Sequence, residues 1–325
     1  MKKIIILFIF ISSFQNIFPQ DVEFSQYYAN MLYLNPAFAG SDNMSRFSLN
    51  YRTLLPSSYG DYTTYSASYD QYFDGLSGGL GFQIMNDRQA QGAINDLNIS
   101  LIYAYHFKIR KLWSVNFGIK AGYSIKSINT NNLLLPEMID ENSWTINPNS
   151  GTVIDKQIKY FDFSAGLLTW YENYYFGFSI DHITKPVLSL GSDDPGIINR
   201  KYTVHGGMEI PYYNSMGRID WTLSPNILVQ VQGGSSKFNL GLYLNKNLLS
   251  TGVWIKTNTQ FKLTGAVLML GVVGDYSTVA YSYDIPFYIS ELAGLISGSH
   301  EVTFLYKFKY KSKRKKIKAI KCPKI

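Results

Sequence analysis

The chain has few of the residues on which catalytic and disulfide-bonded proteins depend. Its one cysteine, Cys322, lies close to the C-terminus, so neither an intrachain disulfide nor a multi-thiolate metal site can form. The histidines lack metal-motif spacing, and neither H-E-x-x-H nor G-x-S-x-G occurs. The sequence therefore predicts no catalytic residue, no cofactor and no metal, and we expect a protein that is not an enzyme. The histidines are His106, His182, His205 and His300.

Long apolar runs are also scarce. Residues 1–19 read as a signal peptide, with Lys2 and Lys3 ahead of an apolar run, Ile4–Ile11, that is too short to span a bilayer. We expect cleavage near Gln20. Beyond it, no stretch approaches the roughly 18 apolar residues of a membrane helix, so the mature chain should be periplasmic, extracellular or in the outer membrane.

Charged residues are sparse at 16%, whereas aromatic residues also reach 16%, with 26 Tyr and 20 Phe, at a mean hydropathy of -0.07. This hydropathy is too low for a bundle of membrane helices, and the aromatic content is high for a soluble enzyme. An all-β transmembrane barrel reconciles the two values, because one face of each strand meets lipid and the other meets a polar interior.

Period-two alternation supports this fold class. Between Leu97 and Phe107, apolar residues alternate with polar ones that include Asn98, Ser100 and His106, as in a strand with one lipid-facing side. Alternation and turn residues predict about 14 antiparallel strands. Pro225 falls in the ninth and predicts a bulge, because proline cannot donate to the ladder. The strands are expected near 46–55, 62–72, 77–86, 96–108, 112–127, 160–171, 174–183, 200–210, 218–232, 237–245, 249–258, 260–273, 276–285 and 298–309.

Loop lengths indicate the orientation. Every connection after an even-numbered strand is short, whereas the long ones, 86–95, 128–159, 184–199 and 286–297, all follow odd-numbered strands. Short periplasmic turns and longer outside loops are typical of outer-membrane barrels of Gram-negative bacteria, and an even strand number leaves both termini periplasmic. We therefore expect residues 20–45 and the C-terminal tail at the same periplasmic rim.

Four regions follow: the signal peptide 1–19, an N-terminal segment 20–45, the barrel 46–310 and a basic tail 311–325. The N-terminal segment is unusually aromatic, with Phe24, Tyr27, Tyr28, Tyr33 and Phe38. We expect it to dock on the strands at the periplasmic rim or in the lumen. There it could meet secretion machinery, gate a pore or serve only as a structural plug.

The outward loops are the predicted surface for partner binding. Two adjacent aspartates offer too few oxygens for calcium, and the glycine run of residues 75–81 lacks the lysine and helix of a phosphate loop, so hairpin glycines explain it better. The residues proposed for partner binding are Glu137, Asp140, Glu141, Trp144, Asp193 and Asp194.

The sequence of the N-terminal segment, DVEFSQYYANMLYLNPAFAG, resembles the N-terminal signature of the PorP/SprF family of type IX secretion membrane proteins. Further similar segments follow in order as far as Phe308. Val22 stands where that signature usually has proline, and the basic tail runs past the expected end. The further segments are YRTLLP at Tyr51, GGLGFQI at Gly78, YAYHF at Tyr103, NFGIKAGY at Asn116, YYFGFSIDHITKP at Tyr174, WTLSPNILVQV at Trp221, YSYDI at Tyr281 and SHEVTFLYKF at Ser299.

The resemblance implies an outer-membrane barrel that works with the type IX secretion and gliding apparatus. Such members pair with large surface adhesins that carry a type B C-terminal domain, helping to export or anchor them, and one branch is tied to the periplasmic ring of the machine. The signature residues then become the proposed contact with periplasmic machinery: Phe24, Ser25, Gln26, Tyr27, Asn35, Pro36, Ala37 and Gly40.

Two other classes of function stay open at this point. One is a diffusion porin or solute transporter of the same architecture, and the other is an outer-membrane hydrolase with a Ser-His or Asp-His arrangement formed only in space. The partners expected for the leading hypothesis are the adhesin, the periplasmic secretion components and outer-membrane lipid, and no nucleic acid.

The net charge of +7 comes from the tail, because ten Lys or Arg and no acid lie between Lys307 and Ile325. Such a block is usually a solvated chain end. We predict that removing Lys311–Ile325 leaves barrel folding intact and weakens periplasmic association in a salt-sensitive way. Heat-modifiable gel migration and pull-down at two salt concentrations measure both effects. A tail-less protein that fails to insert into the membrane would contradict the prediction.

Overall fold

A computed structural model describes residues 21–42, 44–57, 60–110, 112–129, 155–188, 196–258, 261–287 and 298–309. The described chain is almost entirely antiparallel strand, apart from one short helix, α1 (Met31–Leu34), and 3-10 turns at Pro36–Phe38, Asp74–Leu76 and Ala90–Gly92. The strands are β1 Met44–Ser57, β2 Gly60–Phe73, β3 Gly78–Gln89, β4 Ile94–Lys108, β5 Trp113–Asn129, β6 Asp155–Tyr171, β7 Tyr174–Asp181, β8 Val187–Leu188, β9 Gly196–Ile197, β10 Lys201–Met208, β11 Ile210–Tyr213, β12 Ile219–Gln232, β13 Ser235–Lys246, β14 Leu249–Asn258, β15 Leu263–Val273, β16 Ser277–Pro286 and β17 Ser299–Lys309.

The strands form a closed antiparallel barrel of 14 strands, which confirms the predicted fold class and strand number. Neighbours in sequence pair with each other, β1 pairs with β17, and the pairing of β10 with β12 closes the sheet. β10 and β11 are two halves of one pass, and β8 and β9 form a separate hairpin. Among the described residues, closure leaves each barrel strand with two partners except β11, which pairs only with β12.

The two faces of the wall differ in polarity. On β4, Leu101 is 66% exposed whereas its neighbours Ser100 and Ile102 are buried, and on β6 Phe161 is 68% exposed beside the buried Asp162. Apolar side chains therefore cover the outside and polar ones line the lumen, as lipid requires. No helix in the described part of the chain is long and apolar enough to cross a membrane.

The two ends of the barrel carry different connections. At the short-turn end the strands are joined by residues 74–77, 109–112, 172–173, 214–218, 247–248 and 274–276, and at the long-loop end the connections include 130–154, 182–200 and 287–298. The predicted long loop 86–95 is wrong. Register pairs such as Asp87↔Asp96 and Gln89↔Ile94 extend β3 and β4, because hydrogen bonding continues where the apolar alternation ends.

The predicted bulge at Pro225 is also wrong. The register of β12 with β13 runs without a shift through Pro225↔Leu242. Across the other edge of β12, the pass is interrupted at Glu209, between β10 and β11, where the Glu209 amide donates instead to the Asn173 carbonyl at 3.0 Å. Because Pro225 has no backbone N–H to donate, the ladder on this side is accommodated by the break between β10 and β11.

Candidate functional site

Residues 21–42, here called the luminal segment, lie inside the barrel. Phe24, Tyr28, Leu32, Ala37 and Phe38 of this segment are each at most 2% exposed. Its hydrogen bonds and ion pairs reach wall residues of β1, β2, β3, β4, β5, β7, β10, β12, β13, β14, β16 and β17. The segment therefore docks around the circumference of the lumen.

The segment runs along the barrel from one end to the other. Asp21 contacts His182, Lys201 and Gln232, which stand where β7, β10 and β12 meet the long-loop end. Its last residues lie at the short-turn end, where Asp42 pairs with Lys307 at 2.8 Å. The expectation that the whole segment lies at one rim with the tail is therefore wrong for Asp21, because luminal cations near the long-loop end attract its carboxylate.

An aromatic cluster fills the middle of the lumen. The rings of Tyr27 and Trp254 meet edge to face at 4.7 Å between centroids, and Tyr243 approaches Trp254 at 5.4 Å. Phe38 stacks on His205 at 5.5 Å. Buried aromatic rings contribute large apolar areas and prefer such offset geometries. The apolar core of this protein thus lies between the luminal segment and the wall.

The Asn-Pro turn of the segment explains its tightest contacts. The Asn35 side chain accepts a hydrogen bond from the Ala37 amide at 2.9 Å, capping the 3-10 turn, and its amide group donates to the carbonyls of Leu167 and Phe178 at 3.0 and 3.2 Å. Asn116 donates to the Ala37 carbonyl at 3.1 Å. Side-chain amides therefore join the turn to β5, β6 and β7.

Glycines on the inner face make room for the segment. A methyl group on Gly118 would overlap the backbone of Pro36 and Ala37, and one on Gly79 would overlap Ala39 and Gly40. Gly40 itself has a φ of 63°, a conformation that glycine adopts without strain. These positions let two backbones approach closely enough for the hydrogen bonds above.

The C-terminal part of the segment is fixed by charge as well. Asp70 accepts from the Gly40 amide at 2.8 Å and pairs with Arg46 at 2.8 Å, both side chains being almost fully buried. Arg46 also donates to the Phe38 carbonyl at 3.3 Å, and His106 contacts the Ala39 carbonyl at 2.8 Å. Charge-assisted hydrogen bonds of this kind are stronger than neutral ones.

The N-terminal part carries two acids that meet luminal cations. Asp21 lies 2.8 Å from His182 Nε2 and 2.7 Å from Lys201 Nζ, and exchanges two hydrogen bonds with the Gln232 amide group at 3.1 and 3.2 Å. Glu23 lies 2.6 Å from Lys237 and 3.2 Å from Lys256. Two carboxylates two residues apart are therefore each held by a pair of basic side chains.

Ser25 and Gln26 are held by one carboxylate of the wall. The Glu301 side chain accepts hydrogen bonds from the amides of both residues, at 2.6 and 3.1 Å. Arg52 bridges the Ser25 hydroxyl at 2.6 Å and Glu301 at 3.3 Å. Because Glu301 is 1% exposed, these groups take the place of water as the polar partners of its carboxylate.

The pKa values of the segment's acids reflect this pairing. Burial alone raises the pKa of Asp21 and of Glu23, but Lys201 with His182, and Lys256 with Lys237, outweigh it and hold both pKa values well below the ordinary range. Burial alone lowers the pKa of His182, but Asp21 and Asp162 raise it to about 9. Near neutral pH the carboxylates and the imidazolium are therefore all charged.

The eight signature residues predicted from the sequence, Phe24 to Tyr27 with Asn35, Pro36, Ala37 and Gly40, come together in the lumen, and all of them are buried. Their role as a contact with secretion machinery stays a prediction, because in this structure all eight residues are buried inside the barrel. The loop residues lie outside the described residues: Glu137, Asp140, Glu141, Trp144, Asp193 and Asp194.

Sequence reasoning missed the luminal cations and the inward glycines. The detectable signal was a basic residue at a polar-face position inside a strand, as with Lys201, Lys237 and Lys256. In the wall of a membrane barrel such a residue faces the lumen and needs an acidic partner. Among the described residues no group of three or more His, Cys, Asp or Glu side chains is arranged to hold a metal ion.

The family model of the type IX secretion system membrane protein PorP/SprF matches residues 16–306. The chain belongs to the PorP/SprF family. This confirms the resemblance, and with it the assignment of this PorP/SprF protein to the outer-membrane barrels of the type IX secretion system. No curated protein sequence matches the chain significantly.

Solved structures similar to this PorP/SprF barrel are outer-membrane proteins. The toluene transporter TbuX of Ralstonia pickettii has a TM-score of 0.51 at 10% identity, covering 85% of this chain and 93% of its own. The toluene transporter TodX of P. putida has a TM-score of 0.46 at 8% identity, with 85% and 93% coverage. The outer-membrane protein Omp33 of Acinetobacter baumannii has a TM-score of 0.46 at 7% identity, covering 82% of this chain and 100% of its own. Of these three structures only TbuX has a TM-score above 0.5. Because its sequence identity is 10%, the similarity concerns the fold alone.

We predict that Gly118→Ala loosens the luminal segment, because the added methyl overlaps the Pro36–Ala37 backbone. Overpacking of this kind costs about 1–3 kcal/mol. In a Cys322→Ser background, an Ala39→Cys reporter should react faster with maleimide. The control is Gly122→Ala on the same strand and face, whose methyl meets the Asn98 and Ser100 side chains instead of the segment. Equal labelling in both variants would contradict the prediction.

We predict that the acid end of the segment is held most firmly between mildly acidic and mildly alkaline pH. The pKa of His182 is raised, so its contribution is complete below its ordinary pKa of 6.5 and is lost as pH rises through about 9. The pKa values of Asp21 and Glu23 are lowered, so their contribution is present above 3.8 and 4.5 and is lost as pH falls toward the folded-state values.

The measurement is maleimide labelling of Val22→Cys, in the Cys322→Ser background, as a function of pH and corrected for thiolate ionisation. Labelling should accelerate above pH 9. Adding His182→Asn should remove the step near pH 9 and raise labelling at neutral pH. If the pH profile of labelling keeps the step near pH 9 in the His182→Asn variant, the step belongs to another group and the prediction is wrong.

Proposed function

We propose that this outer-membrane barrel binds a secreted surface adhesin with a type B C-terminal domain and helps to export or anchor it. Its contacts with periplasmic components of the secretion machinery lie at the short-turn end, and the adhesin is met from the long-loop end. The proposed partner-binding loops are those that contain Glu137 to Trp144 and the Asp193–Asp194 pair.

The observation that carries the proposal is the filled lumen. A diffusion channel needs an open path, whereas the luminal segment of this protein is buried and bonded to wall residues at both ends of the barrel. Several aromatic rings of the luminal segment are buried, and glycines of the wall contact its backbone closely. The segment is therefore part of the folded core. An interaction role within the secretion system fits this arrangement better than passive diffusion.

The alternative is a porin or solute transporter. The fold shared with a toluene transporter at 10% identity gives the architecture and no substrate. The alternative would require the luminal segment to move, because its residues occupy the space that a solute would cross. Conductance of the purified protein in planar bilayers distinguishes the two: a steady open pore without any partner favours the porin.

The test of the proposal is deletion of the encoding gene, followed by a survey of surface-displayed proteins. We expect one type B adhesin to disappear from the surface and to return on complementation. Complementation with Gly122→Ala should restore display fully, whereas Gly118→Ala should restore it less well. Unchanged display of every type B substrate in the deletion strain would refute the proposal.

A further inference from the structure

The first three residues of the luminal segment differ from the rest of it. Asp21, Val22 and Glu23 are only partly buried, whereas Phe24 to Asn30 are all buried. Two clefts flank these three residues: one is lined by Tyr33, Lys120, Asp162 and His182, and the other by Gln230, Gln232 and Lys237. Residues 21–23 therefore form a narrow strip of peptide with a cleft on each side.

The strip is held by polar groups of the wall, and by Tyr33 of the luminal segment itself, that recognise general features of a peptide. The Gln232 side chain accepts a hydrogen bond from the Asp21 backbone amide at 3.2 Å and donates one to the Asp21 carboxylate at 3.1 Å. The Val22 carbonyl accepts from the Tyr33 hydroxyl at 2.6 Å, and Lys201 lies 4.6 Å from the centre of the Tyr33 ring. Backbone and carboxylate are bound, and the Val22 side chain takes no part in these polar contacts.

Each buried basic group that holds an acid of the strip also has a partner in the wall. Lys201 lies 3.7 Å from Asp181, His182 lies 2.8 Å from Asp162, and Lys256 pairs with Asp284. Lys237 pairs with Glu23 and is 35% exposed, so water can solvate it. If the strip left, each of these buried basic groups would keep a carboxylate neighbour, but Lys201 would share Asp181 with Lys120, which contacts it at 3.1 Å. The emptied site would therefore carry excess positive charge, which favours an acidic occupant.

We propose that the long-loop half of the lumen is a receptor for an extended acidic peptide with carboxylates at positions i and i+2, and that Asp21–Glu23 occupies it as an internal occupant. A peptide of this chemistry, entering from the long-loop end, replaces residues 21–23 while the buried remainder of the segment stays in place. The inference rests on the proposed function in one respect: the peptide is a segment of the secreted partner.

The experiment uses the purified full-length protein in detergent and fluorescein-labelled peptides. The acidic peptide is DVEFS, and the control, NVQFS, carries the same label but has amides in place of the two side-chain carboxylates. We expect the Asp21→Asn/Glu23→Gln variant to bind DVEFS at least about tenfold more tightly than the wild type does, because an internal occupant lowers apparent affinity by the fraction of time the site is free. Asp42→Asn, which removes an acid at the other end of the segment, should behave as wild type.

Two further variants define the site. Adding Lys201→Met and Lys256→Met to the Asp21→Asn/Glu23→Gln variant should abolish binding of DVEFS. In a protein that keeps both acids, Val22→Cys with Cys322→Ser should be labelled faster by maleimide once DVEFS is added, and not when NVQFS is added. This second readout does not depend on the folding of the charge variants.

The inference is overturned if DVEFS and NVQFS bind equally, or if DVEFS neither binds the Asp21→Asn/Glu23→Gln variant nor accelerates labelling at position 22. Its failure is separable from that of the proposed function, because the peptide assay uses no adhesin and no living cell. Loss of surface display in the deletion strain together with absent peptide binding would leave the proposed function standing and reject this receptor alone.

Discussion

The structure depends on where the polar groups of a membrane barrel go. Lipid forces apolar side chains onto the outer face and leaves the polar half of every strand facing inward. In this protein that inner face carries charges that are well removed from solvent, among them Asp181 and Glu301 at 2% and 1% exposure. Buried charges are tolerated only when they are paired and hydrogen bonded. The luminal segment supplies many of the required partners.

The same segment also supplies the apolar core. Tyr27, Tyr28 and Phe38 pack with wall residues such as Trp254 and Leu168, so apolar burial occurs inside the barrel as well as against lipid. The arrangement reverses that of a soluble sandwich, in which the core lies between two sheets. Here the core lies between a sheet and a peptide, and barrel and segment must therefore fold as one unit.

Two kinds of interaction divide the segment. From Asn35 to Gly40 it is held by steric fit to inward glycines and by hydrogen bonds, some of them from the fully buried Asp70–Arg46 pair, contacts that tolerate little displacement. At Asp21 and Glu23 it is held by ion pairs whose cations have second partners in the wall. Ionic contacts respond to competing charge, salt and pH, whereas steric fit does not. A segment built in this way can release one end and keep the other.

The sequence by itself determined the architecture, because the alternation of strands such as Leu97–Phe107 is a local property and the lipid-facing side needs apolar residues at every second position. The family could also be predicted from the sequence, and so could the other long loops, but residues 86–95 form paired strand instead of a loop. The contents of the lumen were decided only by the tertiary structure. Asp21 meets Lys201 across 180 residues of chain, and Ser25 meets Glu301 across 276. Such pairs depend on the register of the closed sheet, which cannot be predicted from the residues adjacent in sequence.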